Sequence, residues 1–306
     1  MCGISGIVGL QNISNPLVAS IRNLEYRGYD SCGVAVLNGR GKIIVKKNIG
    51  SVDEANEEEK FTKLKGLVGV AHTRWATHGR VTKANTHPHV SCQKEFACVH
   101  NGIISNYRAL KNLLAKKGHK FTSETDTEVI AHLLEDFYHM TGDVEKTFLK
   151  TLNKLEGTFA IAMITTFDSD RVYCAKRESP LILGIGDDAN YIGSDSNAFI
   201  DFTKNSIVLD DFEYAIVSKD SYVVKNFNQG NIIEKEITRI HWDAEMSQKG
   251  GYPHYMLKEI YEQPQAIINA LNIDQKHIHL KEQHSRLFQH PEDSFFRFLL
   301  FGWLPF

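Results

Sequence analysis

The sequence lacks long hydrophobic runs and any excess of basic charge. No uninterrupted apolar stretch in its 306 residues approaches the roughly 20 residues of a transmembrane helix, and the amino terminus has no basic leader or cleavage site. Its 35 Lys and Arg are balanced by 37 Asp and Glu, a net charge of -2, with no basic stretch suited to a phosphate backbone. We therefore expect a soluble cytoplasmic protein that binds neither membrane nor nucleic acid.

Paired cysteines are also missing. The five cysteines are odd in number and scattered, at Cys2, Cys32, Cys92, Cys98 and Cys174. In a chain of this length, such a distribution argues against a disulfide framework and favours reduced thiols. Stability must then come from a hydrophobic core, and 42% hydrophobic residues are ample for one.

Periodicity predicts an α+β fold in which two packed sheets are covered by helices. Apolar residues at helical spacing predict a helix that runs to Met140. A capping box at Thr125 and Glu128 predicts where this helix starts. Strands are predicted at 4–10, 33–37, 42–47, 66–73 and 96–100 and through the strand-rich segment 157–237, and further helices at 15–26 and 105–118.

The carboxyl-terminal part differs in composition from the rest. Residues 238–253 lose periodicity and gather charge and glycine, which predicts a linker after a domain of residues 2–237. Residues 254–271 regain helical spacing, and 288–306 are crowded with aromatics. An exposed aromatic segment of this kind is typical of a missing packing partner.

Cys2 is the first candidate for catalysis. It follows the initiator Met and precedes a glycine, so removal of Met1 would leave a residue with both a thiol and a free amine. An amino-terminal amine has a pKa near 8 and can take the proton of a neighbouring nucleophile. Taken alone, Cys2 is better explained by a buried position next to a strand.

Two further segments concentrate polar chemistry at the ends of predicted strands. Arg74, in the loop that follows the strand ending at Thr73, can hold a carboxylate with two parallel hydrogen bonds, and Asn101 with Gly102 offers two donors to one oxygen, as an oxyanion hole requires. Asp126 can hold an ammonium. Each also has a structural explanation, as a surface ion pair, a turn or a complement to a helix dipole.

Neither a metal nor a nucleotide site is predicted. Five histidines between 72 and 100 are suitable zinc ligands, but the sequence has no Cys-x-x-Cys pair, no His-Glu-x-x-His and no carboxylate at ligand spacing. A lone Gly184-x-Gly186 is typical of a turn rather than a phosphate loop. We expect no metal and no cofactor.

Taken together, six motifs resemble the class II glutamine amidotransferases, and within them the glutamine:fructose-6-phosphate amidotransferase (glucosamine-6-phosphate synthase) family. The resemblance covers about the first 270 residues. It implies the Ntn-hydrolase fold, a four-layer αββα sandwich of two antiparallel sheets. The motifs are Met1–Ile4, Leu24–Ser31, His72–Gly79, His87–His89, His100–Ile103 and Ser123–Glu128.

The resemblance also implies catalytic roles. Cys2 would attack the side-chain amide of L-glutamine, with its own amine as the base. Asn101 and Gly102 match the oxyanion hole of the family, and Arg27 with Gly28 matches the element packed beside the nucleophile.

The substrate-binding residues follow in the same way. Arg74 would hold the α-carboxylate of glutamine and Asp126 its α-ammonium. Thr77 and His78 match the loop that closes over glutamine, and Trp75 matches a residue that gates the passage of ammonia.

Two departures from the family shape the expected function. Cys32 replaces a smaller residue and could bring a second thiol near the site. Residues 254–264 resemble the opening helix of the sugar-isomerase half, but beyond about Leu271 the resemblance stops. We therefore expect a truncated chain that releases glutamate and ammonia but lacks its own fructose 6-phosphate site for making glucosamine 6-phosphate. An inactive remnant or interaction subunit is the alternative, and dimerisation, which the family achieves through the isomerase half, stays open.

Overall fold

The computed structural model describes residues 2–9, 11–76, 79–241, 252 and 255–270. The chain divides into two compact units, Met1–Ser247 and Gln248–Phe306. Thr77, His78, most of the predicted linker and the aromatic segment 288–306 lie outside the described residues.

The first unit contains an eight-stranded antiparallel sheet. Its strands are β1 (Gly3–Gly9), β2 (Ser31–Leu37), β3 (Ile43–Ile49), β4 (Val68–Arg74), β9 (Ile182–Ile185), β10 (Ala189–Gly193), β11 (Asn205–Val208) and β14 (Thr238–Arg239). They lie in the order β14-β11-β9-β10-β1-β4-β2-β3. Because β14 pairs with β11, the sheet reaches Arg239, two residues past the predicted domain boundary.

A second antiparallel sheet has six strands. They are β5 (His89–Val90), β6 (Phe96–Ile104), β7 (Gly157–Thr165), β8 (Asp168–Arg177), β12 (Glu213–Ser218) and β13 (Tyr222–Asn226). Their order in the sheet is β13-β12-β8-β7-β6-β5. The long β6, β7 and β8 pair along most of their length, so the centre of this sheet is its most continuous part.

Helices cover the outer face of each sheet. The first sheet carries two helices and the second carries three. They are α1 (Ser14–Asn23), α2 (Val52–Glu59), α3 (Tyr107–Lys116), α4 (Glu128–Thr141) and α5 (Val144–Lys154).

The two sheets and the two sets of helices form four layers, and three clusters of buried hydrophobic side chains lie between them. One cluster lies between the sheets and combines residues of both, such as Ile4 with Val99. The second packs α1 and α2 on the first sheet, and the third packs α3, α4 and α5 on the second. The predicted arrangement, an αββα sandwich of two antiparallel sheets, is confirmed.

The predicted capping box at Thr125 and Glu128 is wrong. Helix α4 begins at Glu128 with Thr127 as its N-cap and no side-chain cap. The Glu128 carboxylate instead accepts hydrogen bonds from the backbone amides of Thr122 (2.9 Å) and Ser123 (2.7 Å). The motif therefore fixes the loop before the helix.

A capping box does occur at Ser51 and Glu54, where both reciprocal hydrogen bonds start α2. This helix and α5 were not predicted. Helix α2 buries only Val52 and Ala55, so it has too few apolar positions to show helical periodicity in the sequence.

In the second unit the structure describes one helix, α6 (Tyr255–Ala270), with Pro264 inside it. Lys258 and Glu262, one turn apart, form an ion pair of 3.6 Å. Among the described residues, no helix combines the length and the hydrophobicity needed to cross a bilayer.

Candidate active site

Strand pairing brings the predicted site residues to one edge of the sandwich. Gly3 on β1 pairs with Thr73 on β4, so the residues next in the chain, Cys2 and Arg74, lie beside each other. Strand β6 of the other sheet contributes Asn101. All of the described site residues line one cavity of about 310 Å³, namely Cys2, Arg27, Arg74, Trp75, Asn101, Gly102 and Asp126.

The Cys2 thiol is half-buried against the start of the loop after β4. Its Sγ accepts a hydrogen bond from the Trp75 amide at 3.2 Å. Burial raises the pKa of the Cys2 thiol, while the Trp75 amide and the Arg74 guanidinium oppose the rise. Since the raised pKa leaves the thiol protonated at neutral pH, it needs a base to become a nucleophile.

Asn101 is held at both ends of its amide. Its Oδ1 lies 3.0 Å from His72 Nε2, and its Nδ2 donates to the Cys2 carbonyl oxygen at 2.9 Å. An amide nitrogen carries two hydrogens. The second hydrogen is not used in these two contacts and can be donated to an acceptor in the cavity, which Asn101 and Cys2 both line.

Gly102 occupies a backbone position that requires glycine for two reasons. Its φ is +124°, in the region that side chains disfavour. A Cβ would also collide with the Thr158 carbonyl on β7. A larger residue would displace the backbone on which Asn101 and the Gly102 N–H depend.

Arg74 and Asp126 supply opposite charges to the cavity. Arg74 is only 4% exposed and Nη1 donates to the Arg80 carbonyl at 3.4 Å. Asp126 precedes α4, and its Oδ2 accepts from the Ile104 amide at 2.7 Å. A buried guanidinium and a fixed carboxylate can hold the two charged ends of an α-amino acid.

Arg27 and Trp75 also line the cavity. Arg27 pairs with Asp195 at 3.5 Å, and its buried Nε has no hydrogen-bond partner within the part of the chain that the structure describes. Trp75 is 43% exposed and meets the edge of Tyr29 at 5.4 Å. Neighbouring Gly28 is needed here, because a Cβ would lie 2.7 Å from the Trp75 amide nitrogen.

A cluster of four buried histidines adjoins the cavity, and two of them, His87 and His100, line it. His72 stacks on His87 with ring centroids 4.2 Å apart, and His87 meets His89 at 4.7 Å. Thr127 Oγ1 lies 2.9 Å from both His87 Nε2 and His100 Nδ1. Burial lowers the pKa of all four, that of His72 to about 3, so they are neutral hydrogen-bonding groups behind Asn101.

The sequence did not predict every residue of the cavity. His87, His100, Thr125 and Thr127 also line it, as do Ile103, Thr158, Ser179 and Pro180. Nothing in the types of the last four residues signals this position before the strands are paired. Conversely, Cys32 is not part of the cavity. It is buried in the layer under α1 and α2, with Sγ 3.8 Å from the Ser51 carbonyl, and burial raises its pKa to about 12.

Comparison with known proteins agrees with this geometry. A family model described as a glutamine amidotransferase domain matches residues 72–201. The chain is 47% identical over 271 residues to a glutamine–fructose-6-phosphate aminotransferase [isomerizing] of Pyrococcus horikoshii, covering 89% of this chain and 45% of that protein. For the protein of the same name from Aquifex aeolicus the identity is 48% over 272 residues, with the same coverage.

Among solved structures, the fold resembles a glutamine phosphoribosylpyrophosphate amidotransferase from B. subtilis, complexed with ADP and GMP. The TM-score is 0.64 at 26% identity, over 76% of this chain and 50% of that one. The chain thus spans about half the length of the curated relatives that it matches. It carries a glutamine amidotransferase domain of the Ntn-hydrolase fold, and over 271 residues it is homologous to glutamine–fructose-6-phosphate aminotransferases.

Proposed function

We propose that this chain hydrolyses L-glutamine to glutamate and ammonia, with Cys2 as the nucleophile. The observation that carries the proposal is the cavity in which the Cys2 thiol lies beside a buried guanidinium, a fixed carboxylate and the Asn101 amide. The identity to aminotransferases whose names include glutamine supports the choice of substrate.

The base in this proposal is the amine of Cys2 itself, freed by removal of Met1. With a pKa near 8, it can take the proton that the buried thiol retains. The thiolate then attacks the side-chain amide carbon of glutamine, and a C–S bond forms. The amine returns the proton to the amide nitrogen, the C–N bond breaks and ammonia leaves. Water, activated by the same amine, cleaves the thioester to glutamate and the thiol.

The negative charge that develops on the amide oxygen needs donors that are already in place. We assign this role to the second Nδ2 hydrogen of Asn101 and to the backbone N–H of Gly102. Because the Asn101 Oδ1 contact with His72 fixes the amide plane, the donor is oriented before the substrate arrives. Such preorganised donors typically contribute ~100-fold to ~1000-fold in rate.

The remaining predicted residues bind substrate in this proposal. Arg74 pairs with the α-carboxylate and Asp126 with the α-ammonium, which fixes the reacting carbon near the thiol. Arg27 lines the same cavity as the nucleophile, and its Nε donor has no partner among the described residues. The loop at Thr77 and His78 would close over glutamine, with Trp75 at the exit for ammonia.

The fate of the ammonia is the finer part of the proposal. We infer that the glutaminase domain runs from residue 2 to at least Arg239, that 254–306 begin a sugar-isomerase region, and that ammonia reaches fructose 6-phosphate only where such a region is supplied. The names of the curated relatives include fructose 6-phosphate beside glutamine, which supports it as the acceptor. The proposed reaction takes place in the cytoplasm and needs no metal or cofactor.

The test is glutamate release from glutamine by the purified chain, with and without fructose 6-phosphate, while glucosamine 6-phosphate is assayed in parallel. Intact mass establishes whether Met1 has been removed. Glutamate release without amino sugar supports the proposal. No glutamate from a folded chain that begins at Cys2 would contradict it and favour an inactive or interaction role.

A further inference from the structure

Away from the cavity, four side chains from three segments converge at the outer face of the second sheet. Cys92 follows β5, His119 lies between α3 and α4, and His132 and Glu135 are on α4. One potential ligand atom from each residue lies within 4.8 Å of all the others. We refer to these residues as the Cys92 cluster.

The spacing of these atoms fits a tetrahedral metal ion. His119 Nδ1 lies 3.3 Å from His132 Nδ1 and 3.4 Å from a Glu135 carboxylate oxygen. Cys92 Sγ lies 3.5 Å from His132 Nδ1 and 3.8 Å from His119 Nδ1. A tetrahedron with usual Zn–N and Zn–S bond lengths has edges of about 3.3 Å between nitrogens and about 3.6 Å between nitrogen and sulfur.

The outer contacts of the histidines favour coordination through Nδ1. Nε2 of His132 faces the Glu128 carboxylate at 3.7 Å, and Nε2 of His119 faces Asp136 at 3.9 Å. A carboxylate beside Nε2 favours the tautomer with its proton there. Two bare Nδ1 lone pairs would then face each other across 3.3 Å, an arrangement that a cation between them stabilises.

The Glu135 carboxylate and the Cys92 sulfur are oriented by backbone amides. The other oxygen of Glu135 accepts from the Gln93 amide at 2.7 Å, and the Lys120 amide donates to Cys92 Sγ at 3.4 Å. Glu135 is 3% exposed and has no Lys or Arg partner within the described ranges. A buried carboxylate needs a cation nearby, and a thiolate with a carboxylate and two imidazoles balances a divalent charge.

We propose that the Cys92 cluster binds one Zn²⁺ ion, with Cys92, His119, His132 and Glu135 as its four ligands. A full set of protein ligands makes this a structural site. The ion would cross-link the turn after β5 and the loop before α4 to α4. Because Cys92 is exposed, the ion can reach the site from solvent. The proposal does not depend on the proposed glutaminase activity.

The first measurement is metal binding by the whole purified chain. After removal of metal with a chelator, one equivalent of Zn²⁺ is expected to rebind and to raise the melting temperature. Co²⁺ used as the probe is expected to give the visible bands of a tetrahedral site together with a thiolate-to-cobalt charge-transfer band.

Variants locate the ion. Cys92→Ser and His119→Ala are each expected to raise the Kd for Zn²⁺ by at least about 100-fold, and Cys92→Ser is expected to remove the charge-transfer band. His139→Ala is the matched control, because His139 is exposed on the same helix one turn beyond Glu135. Cys2→Ala is a second control, since an amino-terminal thiol and amine can also chelate metal.

Some results would overturn the proposal. Failure of the wild-type chain to bind Zn²⁺ at micromolar concentrations would be one such result. This test does not depend on whether a variant folds. Cys2→Ala could remove the charge-transfer band, which would place the ion at the cavity. An equal loss of affinity in His139→Ala and His119→Ala would show that binding does not depend on the cluster.

Discussion

Cys2 and Cys92 are both accessible thiols at the ends of strands, but their neighbours differ. Cys2 Sγ contacts the Trp75 backbone and lies in a cavity with a guanidinium and an amide. Cys92 Sγ has two imidazole nitrogens within 3.8 Å. The comparison teaches that the partners decide whether a thiol suits attack on a carbonyl or coordination of a metal.

The largest effect separates the two cysteines directly. Replacing Cys2 by Ala is expected to lower glutamate release by at least about 10⁴-fold, because loss of a nucleophile leaves only binding and the oxyanion donors. Zinc content of the same variant is expected to stay at that of wild type. Glutamate assays and metal analysis of one preparation measure both. Persistent turnover would contradict the assignment of Cys2 as the nucleophile. Loss of zinc from this variant would show that the metal binds at Cys2 and not at the Cys92 cluster.

The next effect concerns a donor that only the Cys2 site has. Asn101→Ala is expected to lower kcat by ~100-fold to ~1000-fold with little change in KM, as loss of an oxyanion donor does. Asn101→Asp is the matched variant, because it keeps an oxygen facing His72 but has no N–H. Steady-state kinetics measure both. An unchanged kcat in either variant would contradict the assignment.

A smaller effect is expected in the free energy of unfolding and tests the backbone beside Asn101. Gly102→Ala is expected to lower it by about 2–5 kcal/mol, because it combines a positive φ with a collision at Thr158. Gly118 also has a positive φ, +97°, but nothing lies within 4 Å of its Cβ position. Gly118→Ala is therefore expected to cost only about 1–2 kcal/mol.

Urea unfolding of the two glycine variants, followed by circular dichroism, measures the difference between them. Equal losses would mean that conformational strain, not the close approach of β7, explains the glycine at position 102.

The sequence predicted the Cys2 site much better than the Cys92 cluster. Cys2, Arg74 and Asn101 lie in sequence motifs that resemble those of one family. The resemblance therefore predicted that they share a site before any strand was paired. The ligands at Cys92 and Glu135 are 43 positions apart and match no short metal-binding spacing. Our expectation of no metal rested on such spacings, and only the packing of α4 against the turn after β5 brings these side chains together.

The fold was predicted in its layers but less well at its helix ends. Apolar periodicity was sufficient for two sheets and for α1, α3 and α4. The start of α4 was wrong because Glu128 was assumed to cap its own helix, whereas it binds the amides of Thr122 and Ser123. A carboxylate five and six residues from its partners gives no local sequence signal.

The smallest effect per residue is the proton uptake that distinguishes the four histidines at the cavity from those of the Cys92 cluster. His72, His87, His89 and His100 are neutral when folded, since burial lowers the pKa of each below the unfolded value of about 6.5. Below about pH 6.5 the unfolded chain therefore binds protons that the folded chain does not, and stability falls as the pH falls. The expected slope is up to about 1.4 kcal/mol per pH unit for each histidine.

Urea unfolding between pH 6.5 and 5, with a chelator present, isolates this contribution from zinc. His72→Gln is expected to reduce the slope by the share of one histidine. Added Zn²⁺ is expected to steepen it, because His119 and His132 must lose their protons to bind metal and zinc binding weakens in acid. With chelator, a free energy of unfolding that does not change with pH would show that the four histidines at the cavity take up protons in the folded chain. If the pH dependence were the same with Zn²⁺ as with chelator, His119 and His132 would not differ from the histidines at the cavity by binding metal.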